Sequence, residues 1–296
     1  MGARDHAEER GALRSGLAAS VLVCVLEFVG GWLTNSLALV SDAAHMLTDV
    51  GALALTLFAL WAANRPASDT KTFGYYRAEI LAALVNGVVL WVLVVAIVTE
   101  AWRRFHAPSA VAASGMVVIA AIGLAVNVFV ALRLRAHRHH SLNLRGAYLH
   151  VLSDALGSVG ALGAGVVIAA TGWTAADAVA SFGIAALILT GSWQLVREAV
   201  DVLMEAVPQH LDLETVRRAL ERVPATEEVH DLHVWTLTTG HYALSAHAVV
   251  RAAPGDHASC DAVLGAMAEV CKREFHIDHV TIQIEHESRR AAEPAH

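Results

Sequence analysis

The chain has few of the residues that staple or decorate a soluble protein. Its three cysteines (Cys24, Cys260 and Cys271) show no C-x-x-C and no paired spacing. That excludes a disulfide framework and a thiolate zinc site, and leaves the thiols as small buried hydrophobes. Charge is sparse: Asp, Glu, Lys and Arg make up 17% of the chain, against about 25% in an average soluble domain. There is no basic surplus either. A formal net charge of −7 argues against nucleic acid as a partner, because phosphate binding leaves a positive footprint. Two sequence patterns are also missing. There is no H-E-x-x-H or other helix-borne general-base motif. The polar residues 1–15 lack the basic start, short apolar core and small-residue exit of a cleavable signal, and read as a cytoplasmic leader.

What is abundant is apolar surface. Hydrophobic residues are 56% of the chain, mean hydropathy is +0.50, and the long apolar stretches lie before about residue 196. Six of them, at about 16–38, 41–62, 79–102, 114–134, 144–170 and 175–197, are each near the roughly 20 residues that cross a bilayer as helix. The second and fifth carry ionisable residues in their first halves, a costly placement in lipid that turns these helices toward the bundle interior. Arginine and lysine near the segment ends set the orientation. Arg4, Arg10, Arg14, Arg65, Lys71, Arg77, Arg133, Arg135, Arg138 and Arg145 fall on one side, and Arg103 and Arg104 on the other. The expectation is a multi-pass protein of the inner (cytoplasmic) membrane with both termini in the cytoplasm.

After Pro208 the pattern changes. Leu211 to Arg222 has helical spacing with Asp212 as cap. Val229 to Trp235 and His241 to Val250 alternate as half-buried strands, Ala258 to Phe275 is helical after a Pro254-Gly255-Asp256 turn, and Val280 to Glu285 is a third strand. The expected architecture is therefore a six-helix membrane bundle over 16–207, a small α+β domain of order αββαβ over 208–288, and a tail over 289–296. With helices on one sheet face, the other face is left for a partner chain.

The chemistry lies in the two charged membrane segments. One reads S-D-A-A-H-M-L-T-D (41–49) and the other A-Y-L-H-V-L-S-D (147–154). In each, H-x-x-x-D stacks an imidazole and a carboxylate one turn apart on one helix face. Two such faces opposed supply His45, Asp49, His150 and Asp154, two nitrogens and two oxygens that suit tetrahedral Zn2+. A single H-x-x-x-D is common by chance and can be a structural hydrogen bond, but two at matching depth are far less so. Imidazole and carboxylate bind metal only when deprotonated, so zinc and protons compete for the four groups. A site that opens alternately to each side turns that competition into exchange. Asp42, one turn before His45, reads either as a proton or ion relay or as a helix cap. Glu27, Asn86 and Asn127 read as interhelical hydrogen-bonding groups.

These motifs, together with F-G-Y-Y-R-A-E-I-L-A-A (73–83), N-L-R-G-A-Y-L-H-V-L-S-D-A-L-G-S (143–158) and H-D-L-H-V-W (230–235), resemble the cation diffusion facilitators, and the bacterial zinc, cadmium and cobalt efflux branch in particular. The resemblance implies a homodimer of six-helix protomers, each with a metallochaperone-like cytoplasmic domain that binds zinc, and divalent-metal/proton antiport. It carries His230, His247 and Glu285 over as ligands in the cytoplasmic domain, with Asp278 near a further ligand position and His233, His279 and His286 as neighbours. It also implies that one zinc site of some members is missing, since Ser68, Lys71 and Tyr75 stand at its positions. The 137–140 stretch, rich in histidine, reads as solvated surface or weak metal collection, and Arg77 as an inter-subunit partner of Asp201 or Glu205. Two rival functions stay open: the same transport with Cd2+, Co2+ or Ni2+ as main substrate, and a membrane-bound metal sensor that moves no ions. An enzyme is not expected, because four protein ligands leave no open position for water.

Overall fold

Long apolar runs of Ala, Val, Leu and Gly can satisfy their backbone groups in lipid only as helix, and the chain folds accordingly. The computed structural model describes residues 3–63, 65–135, 142–251 and 257–286, less the side chains of 3–17, 60, 142–147 and 257–258. The side chains of the leader arginines, the 137–140 histidines, the 254–256 turn and the 289–296 tail lie outside it. Six helices come first: α1 (Ala3–Thr34), α2 (Leu37–Ala63), α3 (Ala78–His106), α4 (Ala113–Arg135), α5 (Leu142–Thr171) and α6 (Ala175–Leu203). Among the described residues five of them, α2 to α6, are long and apolar enough to cross a membrane, and Ala18–Thr34 of α1 is a shorter apolar helix.

Two boundaries differ from the sequence expectation. The first helix starts at Ala3 rather than at 16, because the leader is rich in good helix formers and hydropathy marks only its apolar part. It also ends earlier, at Thr34 rather than 38. Asn35 takes φ 55°, Ser36 N donates to Gly31 O (2.9 Å) and Asn35 N to Trp32 O (3.3 Å). That is the paired hydrogen-bond pattern of a left-handed helix stop, here with Asn in place of the usual glycine.

The chain divides into two compact units, Met1–Thr56 with Val85–Val196, and Leu57–Leu84 with Arg197–His296. In the first, small residues let the helices approach closely. A Cβ on Gly123 of α4 would stand 2.4 Å from Glu27 Oε1 of α1, and one on Gly165 of α5 would stand 2.8 Å from a Val117 methyl of α4. A buried cluster including Leu39, Leu90, Met116, Ala120, Ala161 and Ile184 fills the centre. Trp91 of α3 and Trp193 of α6 stack with centroids 5.6 Å apart.

In the second unit, α7 (Leu213–Glu221), β1 (Thr226–Thr238), β2 (His241–Val250), α8 (His257–Phe275) and β3 (His279–Glu285) form the α+β domain. Asp212 caps α7 by accepting from Thr215 N at 2.9 Å. The sheet order is β1-β2-β3, with β1 antiparallel and β3 parallel to β2. Leu244, Ala246, Ala248 and Val250 turn to one face and join Val216, Leu220, Met267 and Ile277 in a buried core. Because side chains alternate along a strand, His247 and Glu285 turn to the other. β1 outruns its expected span because it pairs with all of β2 through irregularities between Thr226/Glu228, His230/His233 and Thr236/Thr238. The ion pair expected between subunits forms within the chain, Arg77 Nη2 to Glu205 Oε1 at 2.7 Å.

Candidate metal centres

The two H-x-x-x-D faces meet. On α2, His45 Nε2 stands 3.8 Å from Asp49 Oδ2, and on α5, His150 Nε2 stands 3.7 Å from Asp154 Oδ2. The helices are joined by Asp49 Oδ2, which is also 3.7 Å from His150 Nε2. These separations exceed hydrogen-bond length and lie a few tenths of an ångström above the about 3.3–3.4 Å between ligand atoms around tetrahedral Zn2+. Among the described residues, Asp49 Oδ2, both oxygens of Asp154 and His45 Nδ1 make no hydrogen bond. Asp154 is 1% exposed while the His150 side chain is 43% exposed, so the set is closed on one side and accessible on the other. A buried carboxylate without partners costs about 2.5–3.5 kcal/mol at membrane depth on an insertion scale. A cation or protons at these oxygens removes that cost.

Asp42 lies one turn before His45, is 2% exposed, and turns its carboxyl to Gly157 of α5. Glu27 is fully buried and accepts from Ser158 Oγ of α5 at 3.2 Å. Asp42 is therefore turned to another helix and is not the cap of α2, whose N-cap is Ser36, accepting from Leu39 N at 3.3 Å. Asn127 is buried, but its amide donor makes no hydrogen bond among the described residues. The room for the two carboxyls comes from glycine. A Cβ on Gly157 would stand 2.5 Å from Asp42 Oδ1, as one on Gly123 would crowd Glu27.

The second centre is on the open face of the C-terminal sheet. His230 and His247 are cross-strand partners on β1 and β2, and Glu285 pairs with Val249 at the end of β3. His230 Nε2 is 3.5 Å from Glu285 Oε2 and His247 Nδ1 is 3.3 Å from Glu285 Oε1. Among the described residues, these three form the one group whose ligand atoms all lie within 4.8 Å of one another. Glu285 is 1% exposed, and its Oε2 makes no hydrogen bond among the described residues. Two imidazoles and a buried carboxylate oxygen are donors that suit zinc, so the residues fit a bound ion and leave one position to be filled.

Asp278 does not join them. It is exposed and precedes β3, seven residues from Glu285, or about 23 Å along an extended strand. The sequence placed it by resemblance alone, whereas the parallel register of β3 on β2 decides which end of the strand meets the histidines. His279 sits at the same far end, edge-on to Phe73. His233 turns to Asp231, at 3.0 Å. Asp231 was not singled out from the sequence, although its Oδ2 lies 3.9 Å from His247 Nε2. It occupies the bulge with φ 47°, a conformation Asp tolerates better than most residues. The signal was the H-D-L-H string itself, in which alternation alone would point Asp231 away from His230 and its cross-strand partner His247. Gln283 was also missed; its amide donates to Glu285 Oε1 and orients the carboxylate.

Comparison with known proteins covers both units. The family profile described as cation efflux transmembrane domain matches residues 13–204, and that described as cation efflux protein, cytoplasmic domain, matches 208–287. The metal cation efflux system protein CzcD of Cupriavidus metallidurans is 40% identical over 274 residues, 93% of this chain and 86% of the relative. A cadmium, cobalt and zinc/H(+)-K(+) antiporter of Bacillus subtilis is 40% identical over 291 residues, 96% and 92%. The zinc transporter ZitB of Escherichia coli is 40% identical over 265 residues, 89% and 83%. Among solved structures, the metal-bound C-terminal domain of the Cupriavidus metallidurans CzcD transporter is 35% identical, with a TM-score of 0.23, over 25% of this chain and 99% of that one.

Proposed function

Because this chain belongs to the cation efflux family, we propose that it exports Zn2+ from the cytoplasm in exchange for protons through His45, Asp49, His150 and Asp154. The family consists of membrane transporters of divalent metals and not of enzymes. The observation that carries the zinc reading is the position of Asp49 Oδ2, within 3.8 Å of one imidazole on its own helix and one on α5. Two nitrogens and two oxygens at this spacing need a small contraction to close on a tetrahedral ion. Imidazole ligands also disfavour manganese, which suits oxygen donors.

Exchange follows from the ligand chemistry. Each group must lose its proton to bind metal, so protons arriving on one side displace zinc and zinc arriving on the other displaces protons. Asp42 and Glu27 extend the group into the bundle. Both termini lie in the cytoplasm, and the membrane is the bacterial inner membrane. On the C-terminal sheet, His230, His247 and Glu285 hold a resident zinc, whose role is to cross-link the strands they sit on. The open sheet face pairs two chains into a homodimer.

The test is zinc uptake into proteoliposomes, read by a lumenal zinc dye with and without an imposed pH gradient. Wild type is expected to show gradient-dependent flux and Asp154→Ala to show none. Flux with cadmium or cobalt but not zinc would keep the mechanism and change the substrate. No flux with any metal would favour a sensor.

A further inference from the structure

The helix that carries His45 and Asp49 begins in an unusual way. An α-helix leaves its first amides without intrahelical partners, and a capping side chain ordinarily takes one. In α2, Ser36 takes Leu39 N, and the two amides before it are taken by another helix. Leu37 N donates to Asp177 Oδ2 at 2.7 Å and Ala38 N to Asp177 Oδ1 at 3.2 Å, while Ser36 Oγ donates to Oδ1 at 2.6 Å. Asp177 is 1% exposed and lies in the first turn of α6. One carboxylate thus sits at the N-termini of two helices, both of which favour negative charge.

The surrounding bonds converge on the same place. Arg104 of α3 stands 3.8 Å from Asp177 Oδ2 and donates to Asn35 O at 2.8 Å. Asn35 Nδ2 donates to Ala110 O, and Ala112 N donates to Thr34 O. Leu37, Ala101 and Ala178 pack together beside the carboxylate. Farther along α2 the bonding is different. Past Ala43, which accepts from Cys24 Sγ, the side-chain hydrogen bonds of α2 among the described residues stay within the helix, from Thr48 to His45 O and from Thr56 to Ala52 O. The helix is tied by hydrogen bonds at its Ser36 end, whereas at Asp49 it faces His150 of α5 across 3.7 Å without a hydrogen bond.

From this we infer that Asp177 is a positioning residue for transport: it pins the first turn of α2 to α6, and that end is the fixed pivot about which α2 opens and closes the metal site. The lever is long enough. Asp49 lies twelve residues from Leu37, about 18 Å at 1.5 Å per residue, so a rotation of about 5° moves its backbone about 1.5 Å. Coordination at about 2.0–2.2 Å does not survive such a shift, so a small swing about a fixed end suffices to make or release the bound ion. The inference rests on the transport reading above.

The experiment uses the full chain in proteoliposomes with zinc as the probe. For Asp177→Ala, kcat is expected to fall tenfold or more, with KM and equilibrium zinc binding within twofold of wild type. Asp177→Asn, which keeps an acceptor for Leu37 N, is expected to recover part of that rate. A cysteine pair, Leu37→Cys with Ala178→Cys, is expected to keep at least half its flux after oxidation, since a fixed pivot tolerates a cross-link. The proposal is overturned if Asp177→Ala turns over within twofold of wild type, if KM and binding weaken in step with rate, or if the oxidised pair stops transporting. Should Asp177→Ala fail to fold, the Asn variant and the cysteine pair decide. Absence of wild-type flux would instead overturn the transport reading, a result distinct from a loss confined to the variants.

Discussion

At the residue scale, the membrane site depends on where side chains are absent as much as on where they are present. Asp42 and Glu27 are buried only because Gly157 and Gly123 leave them room. Alanine at Gly157 would set a methyl 2.5 Å from Asp42 Oδ1 and 2.9 Å from both Cγ and Oδ2, and overpacking of this kind costs about 1–3 kcal/mol. Gly160, on the same helix, has no atom within 4 Å of the position its Cβ would take. Gly157→Ala is therefore expected to lower the thermal unfolding midpoint and slow zinc uptake, while Gly160→Ala leaves both near wild type or gains slightly from helix propensity. Equal midpoints for the two variants would refute the close approach. The four candidate ligands could be picked from the sequence because H-x-x-x-D occurs twice at equal depth. The glycines could not, since a glycine opposite a carboxylate on another helix has no local signature.

Helix and strand ends show the same division at the scale of the element. Asp212 is legible as the cap of α7 from its place before an amphipathic run, and Thr215 supplies both a hydroxyl and an amide to it. The hydroxyl of Thr215 first, then its amide, hold the Asp212 carboxyl below its ordinary range. A carboxylate with a lowered folded-state pKa contributes stability that is fully present above its unfolded value, about 3.9, and is lost as pH falls through the folded value. Asp212→Ala should therefore unfold at a lower temperature than wild type at pH 7, and the gap should narrow below about pH 4. Circular dichroism melts across pH would read this, and a gap independent of pH would show that the cap acts without its charge. The end of α1 was not legible in the same way. Its stop uses Asn35 in a left-handed conformation within an otherwise apolar run, and hydropathy carried the helix four residues too far.

The whole molecule joins two candidate metal centres on one chain, and their relation is a matter of function at that scale. If the resident zinc on the sheet face couples two cytoplasmic domains, its loss should shift the dimer toward the weaker-binding transport state. His247→Ala is then expected to raise the zinc concentration for half-maximal uptake severalfold, leaving the maximal rate within about twofold, because differential binding is what moves a two-state equilibrium. An unchanged concentration dependence would separate the two centres.

The sequence by itself determined the number and order of the elements, the membrane character, the α+β domain and the identity of the paired His and Asp residues. It could do so because apolar length, period and i,i+4 spacing are local quantities. The tertiary structure decided which partners those residues meet. It placed Asp49 between two imidazoles, turned Asp177 onto the first turn of α2, and set Glu285 rather than Asp278 beside His230 and His247. It also closed Arg77 onto Glu205 within one chain. Each of these depends on a crossing between helices or on a strand register, and residues far apart in sequence carry no local trace of the contact that will join them.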